Sequence, residues 1–237
     1  MKKRFGNTLR KNKSHPIRIL ILFILVNIIL KTFIIDIYKI RGNSMFPTLK
    51  NGDYVLVLKC AYGIRLPRNI YEVPWLGILL NYLTPKTFTN QIINKNKNFT
   101  YLFSYAKVKR NDLIAFNIPT QNKYVAVKRC IKLPSEAISI YSKSTIHSPT
   151  ITPFKIVPYK GYTLSLKKLS KSEIKNLMEN SYFFHNNDST CTSISNCYFV
   201  LGDNINNSND SRIWGTIPFE LIVGKVIYVC KLPKLAY

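Results

Sequence analysis

The chain has 237 residues, 46% of them apolar, which excludes wholesale disorder and allows one large domain or a core with a smaller lobe. Thirty-five Lys and Arg against 11 Asp and Glu give a formal charge of +24, a balance that suits nucleic acid or an anionic membrane surface. Basic residues are spread along the chain with no Arg-rich run, zinc-finger spacing or RNP-type aromatic motif, so nucleic acid is not an expected partner. Five cysteines are too few for a disulfide scaffold, three histidines leave little room for His-based metal chemistry, and no cofactor is expected.

Residues 1–18 carry Lys2, Lys3, Arg4, Arg10, Lys11, Lys13 and Arg18, and no acid. The 19 residues 17–35 then form an apolar run, about the length needed to cross a bilayer core. Arg18 and Lys31 stand toward its two ends, where long side chains reach the interface, and Asn27 is the one polar residue well inside. A cleavable leader would be followed by small residues in an A-x-A pattern, whereas this run continues as DIYKIRGNS. The reading is an uncleaved anchor over 19–36. Its basic flank predicts a cytoplasmic N-terminus, with residues from about 37 onward outside.

The remainder reads as strands. YVLVL (54–58), DLIAFNI (112–118), YVAVKRCIKL (124–133), CYFVLG (197–202) and LIVGKVIYVC (221–230) are rich in Val, Ile and Tyr and punctuated by Gly, Pro, Asn and Asp. One short helix is expected at 171–179, with Ser170 as cap and Glu173 in capping-box register. The expected fold is therefore mainly β: an N-terminal transmembrane helix, then an antiparallel β-sheet domain with a smaller inserted β-rich lobe and one short helix. Its segments are a basic 1–18, the anchor 19–36, a core 37–140 containing a membrane-proximal insertion 60–107, an inserted lobe 141–196, and the returning core 197–237. Within the insertion, VPWLGILLNYL (73–83) with Trp75 is either core or an apolar surface that dips into the membrane.

Three polar clusters stand out. RGNSMFPTLKNGDYVLV (41–57) sets Ser44 in a turn-rich loop beyond the anchor. YVAVKRCIKLPSE (124–136) puts Lys128 inside an apolar strand, on the face of Tyr124, Ala126 and Cys130. LGDNINNSNDSRIWG (201–215) gathers Gly202, Asp203, Ser208, Asp210 and Arg212 into one loop. Taken singly, each has an ordinary explanation: a turn serine, an edge lysine facing solvent, a solvated Asx-turn loop.

In this order behind an anchor, the clusters resemble the bacterial type I signal peptidases, the membrane-bound serine–lysine proteases of the S26 family. SMxPTLxxGDxVLV is matched at 44–57, the lysine motif by VKRCIKLP after RNDLIAFNIP, and GDNxxNSxDSRxWG at 202–215. The resemblance implies Ser44 as nucleophile and Lys128 as general base. The Ser44 N–H would serve an oxyanion hole, Ser208 would orient the lysine amine, and Asp210 and Arg212 would form a supporting ion pair. Asp203 and Arg129 are further supporting positions, and Met45 would line the pocket for the small residue before the cut. The implied partners are preprotein signal peptides and the lipid bilayer. The implied location is the outer face of the cytoplasmic membrane. Two departures from the family pattern are Ile205–Asn206, where Arg–Asp is frequent, and Gly42, where some members carry a hydroxyl that donates to the oxyanion.

The chemistry is coherent on its own terms. A serine needs a base, and an unperturbed lysine is neutral in only about 0.04% of molecules at pH 7. Burial in an apolar strand lowers a lysine pKa and supplies that base. Rival readings remain open. A Ser-His-Asp triad would need His147 or His185, both outside the three clusters. His185, Cys191 and Cys197 could hold a metal but lack a fourth ligand and a standard spacing, and the two cysteines could instead form a small surface disulfide or stay free. At the level of function, the alternatives are a specialised membrane-bound processing protease (a pilin maturase or an organellar inner-membrane peptidase) and a non-catalytic basic membrane protein binding anionic lipid or nucleic acid.

Overall fold

The computed structural model describes residues 15–67, 73–74, 76, 82–83, 101–119, 121–138, 155–169, 183–187 and 189–231. The helix expected at 171–179, Trp75 and His147 lie outside the described residues.

An apolar α-helix, His15–Ile29, passes into a π-helical turn, Leu30–Ile34. Together they span about 20 residues, close to the thickness of a bilayer core. Only 6% of the window within Pro16–Ile34 is buried by the rest of the protein, and Ile17, Phe23 and Leu25 are more than half or half exposed. Among the described residues it is the one helix long and apolar enough to cross a membrane. It ends earlier than the expected anchor: Ile35 is already extended backbone and opens the first strand.

Among the described residues twelve strands follow. They are β1 (Ile35–Lys39), β2 (Tyr54–Leu58), β3 (Ile64–Arg65), β4 (Tyr101–Phe103), β5 (Leu113–Ile118) and β6 (Gln121–Lys132), then β7 (Thr163–Ser165), β8 (Phe183–Asn187), β9 (Thr190–Ser193), β10 (Cys197–Leu201), β11 (Ile217–Pro218) and β12 (Ile222–Cys230). Seven of them make one antiparallel sheet in the order β1-β2-β12-β5-β6-β10-β11. A second sheet, β7-β9-β8, lies in the segment read as an inserted lobe, and β3 pairs with β4. The expected mainly β, antiparallel architecture behind an apolar N-terminal helix is what the structure has.

The large sheet is covered on both faces, because alternation sends successive residues to opposite sides. On one face Ile114 and Phe116 of β5 meet Cys130, Val200, Ile217 and Ile222. On the other, Ala115 and Val127 meet Val55 and Val57 of β2, with Met45 and Leu49 from the loop before it. Double coverage explains why β5 is apolar at nearly every position instead of alternating. An internal clamp holds the sheet's centre: Asp112 pairs with Lys225 of β12 at 2.6 Å and accepts the Tyr62 hydroxyl at 2.9 Å.

Candidate active site

β6 is an interior strand, flanked by β5 and β10, so its residue 128 cannot be an edge position. Lys128 faces Ile114 across the β5–β6 ladder and is 3% exposed. This excludes the solvent-facing reading of that lysine. Its Nζ lies 2.5 Å from Ser44 Oγ, across 84 residues of sequence. The amine's pKa is lowered to about 8: burial is the largest influence and Arg212 acts with it, against the opposing pull of Asp210 and Asp203.

Ser44 sits in the turn between β1 and β2. The turn is closed by Phe46 N–H to Asn43 O and Leu49 N–H to Met45 O, and Gly42, at φ +84°, takes the left-handed conformation the turn requires. The loop after β10 locks onto the same turn: Asn204 N–H donates to Ser44 O at 3.0 Å and Asn204 Nδ2 to Asn43 O at 3.1 Å. Among the described residues no backbone hydrogen bond is donated by Ser44 N–H. Gly202 makes this approach possible. A Cβ there would stand 2.5 Å from Ser44 O and 2.1 Å from Ser208 Oγ, closer than atoms pack.

Asp210 and Arg212 form a buried, two-pronged ion pair, at 2.9 Å from Nε to Oδ1 and 2.9 Å from Nη2 to Oδ2. Asp210 also caps the short helix Ser211–Trp214 and accepts Gly202 N–H at 3.0 Å. Burial alone would raise this carboxyl, but the bonds from Arg212, Gly202 and Ser208 outweigh it and hold it below the usual carboxylate range. Arg212 further donates to Ile205 O at 2.7 Å. The contact uses a backbone carbonyl, so the unusual residue at 205 leaves it intact.

Asp203 and Arg129 pair at 2.8 and 2.7 Å, each on the rim of the site. Thr48 completes this pair by donating its hydroxyl to Asp203 Oδ2 at 2.5 Å. Thr48 and Gly202 are positions the sequence reading did not assign. Both stand inside quoted motifs (FPTL and LGDN), yet what they touch comes from distant segments.

Two of the expected site residues make contacts the sequence did not show. Ser208 Oγ is directed to Asn209 O, at 3.5 Å, and toward the Asp210 carboxylate, and no hydrogen bond joins it to Lys128 among the described residues. Met45 is 2% exposed and packed with Leu49, Val55 and Val57, beneath the Ser44 turn. The surface disulfide is also absent. Cys191 and Cys197 are both free thiols and both buried, one packed with Leu166 in the small sheet and the other with Val157, Phe199 and Leu201. Among the described residues no three His, Cys, Asp or Glu side chains are grouped to hold a metal.

The family described as "Signal peptidase, peptidase S26" matches residues 14–230. The signal peptidase I of Pseudomonas aeruginosa is 28% identical over 225 residues, covering 88% of this chain and 68% of that protein. That of Buchnera aphidicola subsp. Baizongia pistaciae is 28% identical over 235 residues, covering 87% and 73%. That of Aquifex aeolicus is 29% identical over 227 residues, covering 91% and 84%. The matched stretch runs from the apolar helix to the last residue of β12 and contains Ser44, Lys128 and the whole 201–215 loop, and the chain therefore belongs to the signal peptidase family, peptidase S26.

Proposed function

We propose that this chain is a membrane-anchored serine endopeptidase that removes signal peptides from exported preproteins, with Ser44 as nucleophile and Lys128 as general base. The observation that carries this reading is the 2.5 Å approach of a buried Lys128 amine to Ser44 Oγ. Kinship with proteins named signal peptidase I supports the substrate class.

With its pKa near 8, the amine is neutral in roughly a tenth of molecules at pH 7, against about 0.04% for an ordinary lysine. It takes the Ser44 proton as Oγ attacks the scissile carbonyl. The oxyanion is assigned to Ser44 N–H, which no described backbone bond occupies. One such donor is typically worth about 100–1000-fold in rate. Lys128 then protonates the leaving amine, and the same neutral amine activates water to release the acyl group from Ser44. Arg129, Asp203, Asp210 and Arg212 position the loops and set the field around the amine. Substrates with small residues at the first and third positions before the cut fit a shallow site that rejects bulk. The basic segment 1–18 supports a cytoplasmic N-terminus and a globular domain on the outer face of the cytoplasmic membrane.

The test is cleavage of a preprotein bearing an A-x-A site by detergent-solubilised full-length protein. Wild type should cut after the small residue. Ser44→Ala and Lys128→Ala should each lower kcat/KM by roughly 1000-fold or more with the fold intact, and His147→Ala should leave it unchanged. Activity retained in Ser44→Ala, or lost in His147→Ala, would sink the serine–lysine mechanism.

A further inference from the structure

Where the apolar helix meets the globular domain there is a small pocket that the peptidase chemistry does not use, lined by Thr32, Lys59, Arg65, Leu66 and Pro67. Thr32 is 6% exposed, and its hydroxyl has no hydrogen-bond partner among the described residues. A buried hydroxyl left unpaired costs about 1–3 kcal/mol, and a helical threonine ordinarily returns its hydroxyl to a carbonyl of the preceding turn. The Lys59 amine is fixed beside the helix end by a 3.0 Å bond to Lys31 O, one of the carbonyls that a helix terminus leaves over. Depth matters equally. The apolar span ends at Ile34, so Thr32 lies within one turn of its end, at the level where lipid headgroups begin.

We propose that this pocket takes the phosphodiester of an anionic phospholipid from the leaflet that meets the globular domain. The Thr32 hydroxyl donates to a phosphate oxygen. Lys59 and Arg65 supply the countercharge, the guanidinium with a geometry suited to phosphate. Leu66 and Pro67 cover the first carbons of the lipid. Bound there, the lipid joins the helix end to the turn after β2 and fixes the domain's height above the bilayer. The proposal rests on the helix spanning a membrane and is independent of the catalytic assignment.

The experiment uses the full-length chain, delipidated in neutral detergent. It is titrated separately with a short-chain phosphatidylglycerol, with phosphatidylcholine of the same chain length, and with inorganic phosphate. Bound lipid is read by native mass spectrometry and stability by Tm. Phosphatidylglycerol should stay bound and raise Tm. Phosphatidylcholine should bind at least about tenfold more weakly, and inorganic phosphate should do neither at the same concentration. Lys59→Gln should weaken phosphatidylglycerol binding about tenfold and Thr32→Val several-fold. The proposal is overturned if both variants, folded as judged by circular dichroism, bind it as tightly as wild type. It is overturned also if phosphatidylcholine binds equally well, or if inorganic phosphate alone reproduces the Tm shift.

Discussion

At the residue scale, Lys128 decides both rate and stability. Its amine is pulled down to about 8, first by burial and then by Arg212. The neutral form is the base, so kcat/KM should rise about tenfold per pH unit below that value and level off above it, in a profile taken from pH 6 to 10. The same shift has a sign for folding. In the folded chain the amine lets go of its proton near 8, whereas in the unfolded chain it does so near 10.5, so between those values the unfolded state binds more protons. Lys128 therefore costs stability below about pH 8, and the cost fades as pH rises through this window. Lys128→Met should raise stability at pH 7 by up to about 3 kcal/mol, raise it little near pH 11, and abolish cleavage. A variant less stable than wild type at pH 7, in urea unfolding, would show that the amine's contacts outweigh its burial.

This residue was legible from the sequence only as an anomaly, a charge inside VAVKRC. Its meaning lay in residue 44, and no local pattern connects positions 84 apart. The contacts of Ser208 and Met45 were illegible for a related reason. A hydroxyl rotates to whichever acceptor the fold brings nearest, here Asn209 O and Asp210, and Met45 follows the apolar cluster beneath its turn.

At the scale of elements, the strands visible in the sequence were those with runs of at least five mostly aliphatic or aromatic residues. YVLVL is β2 without adjustment, and the other four runs match β5, β6, β10 and β12 to within three residues at either end. β1 was not visible, because IDIYK continues an apolar run that begins in the helix. What makes it a strand is its pairing with β2, from Ile35 opposite Leu58 to Lys39 opposite Tyr54, a long-range contact. β3, β4, β7 and β11 have only two or three residues each, too few to carry a period. The tie between elements at the site was equally non-local: Asp203, just beyond β10, receives Arg129 of β6 and Thr48 of the Ser44 turn. Asp203→Asn keeps the shape and removes the charge. It should lower stability by about 1–2 kcal/mol and reduce kcat more than it changes KM. Asp203 also raises the Lys128 pKa, so the midpoint of the pH profile should move below about 8. An unchanged midpoint together with unchanged kcat would show that the tie does not reach the site.

At the scale of the whole molecule, two features could hold the chain to a bilayer, and they differ in their response to salt. One is the charge of +24, spread over the sequence. Its attraction to anionic lipid decays over a Debye length of about 3 Å at 1 M salt, against about 8 Å under physiological conditions. The other is the apolar helix, whose side chains the globular domain leaves almost entirely uncovered, with Ile19 at 67% and Phe23 at 66% exposed. Its hold is the transfer of hydrocarbon out of water, about 25 cal/mol for each Å² removed, which added salt strengthens or leaves unchanged. A chain held by charge alone, as the non-catalytic lipid-binding reading requires, would leave membranes in about 1 M NaCl. A chain held by the helix stays with them through that wash and through alkaline carbonate, and comes off only in detergent. The expected result in a membrane sedimentation assay is full retention at high salt. Release into the supernatant would place the helix outside the bilayer, and with it would fall both the anchored protease and the lipid pocket at the helix end.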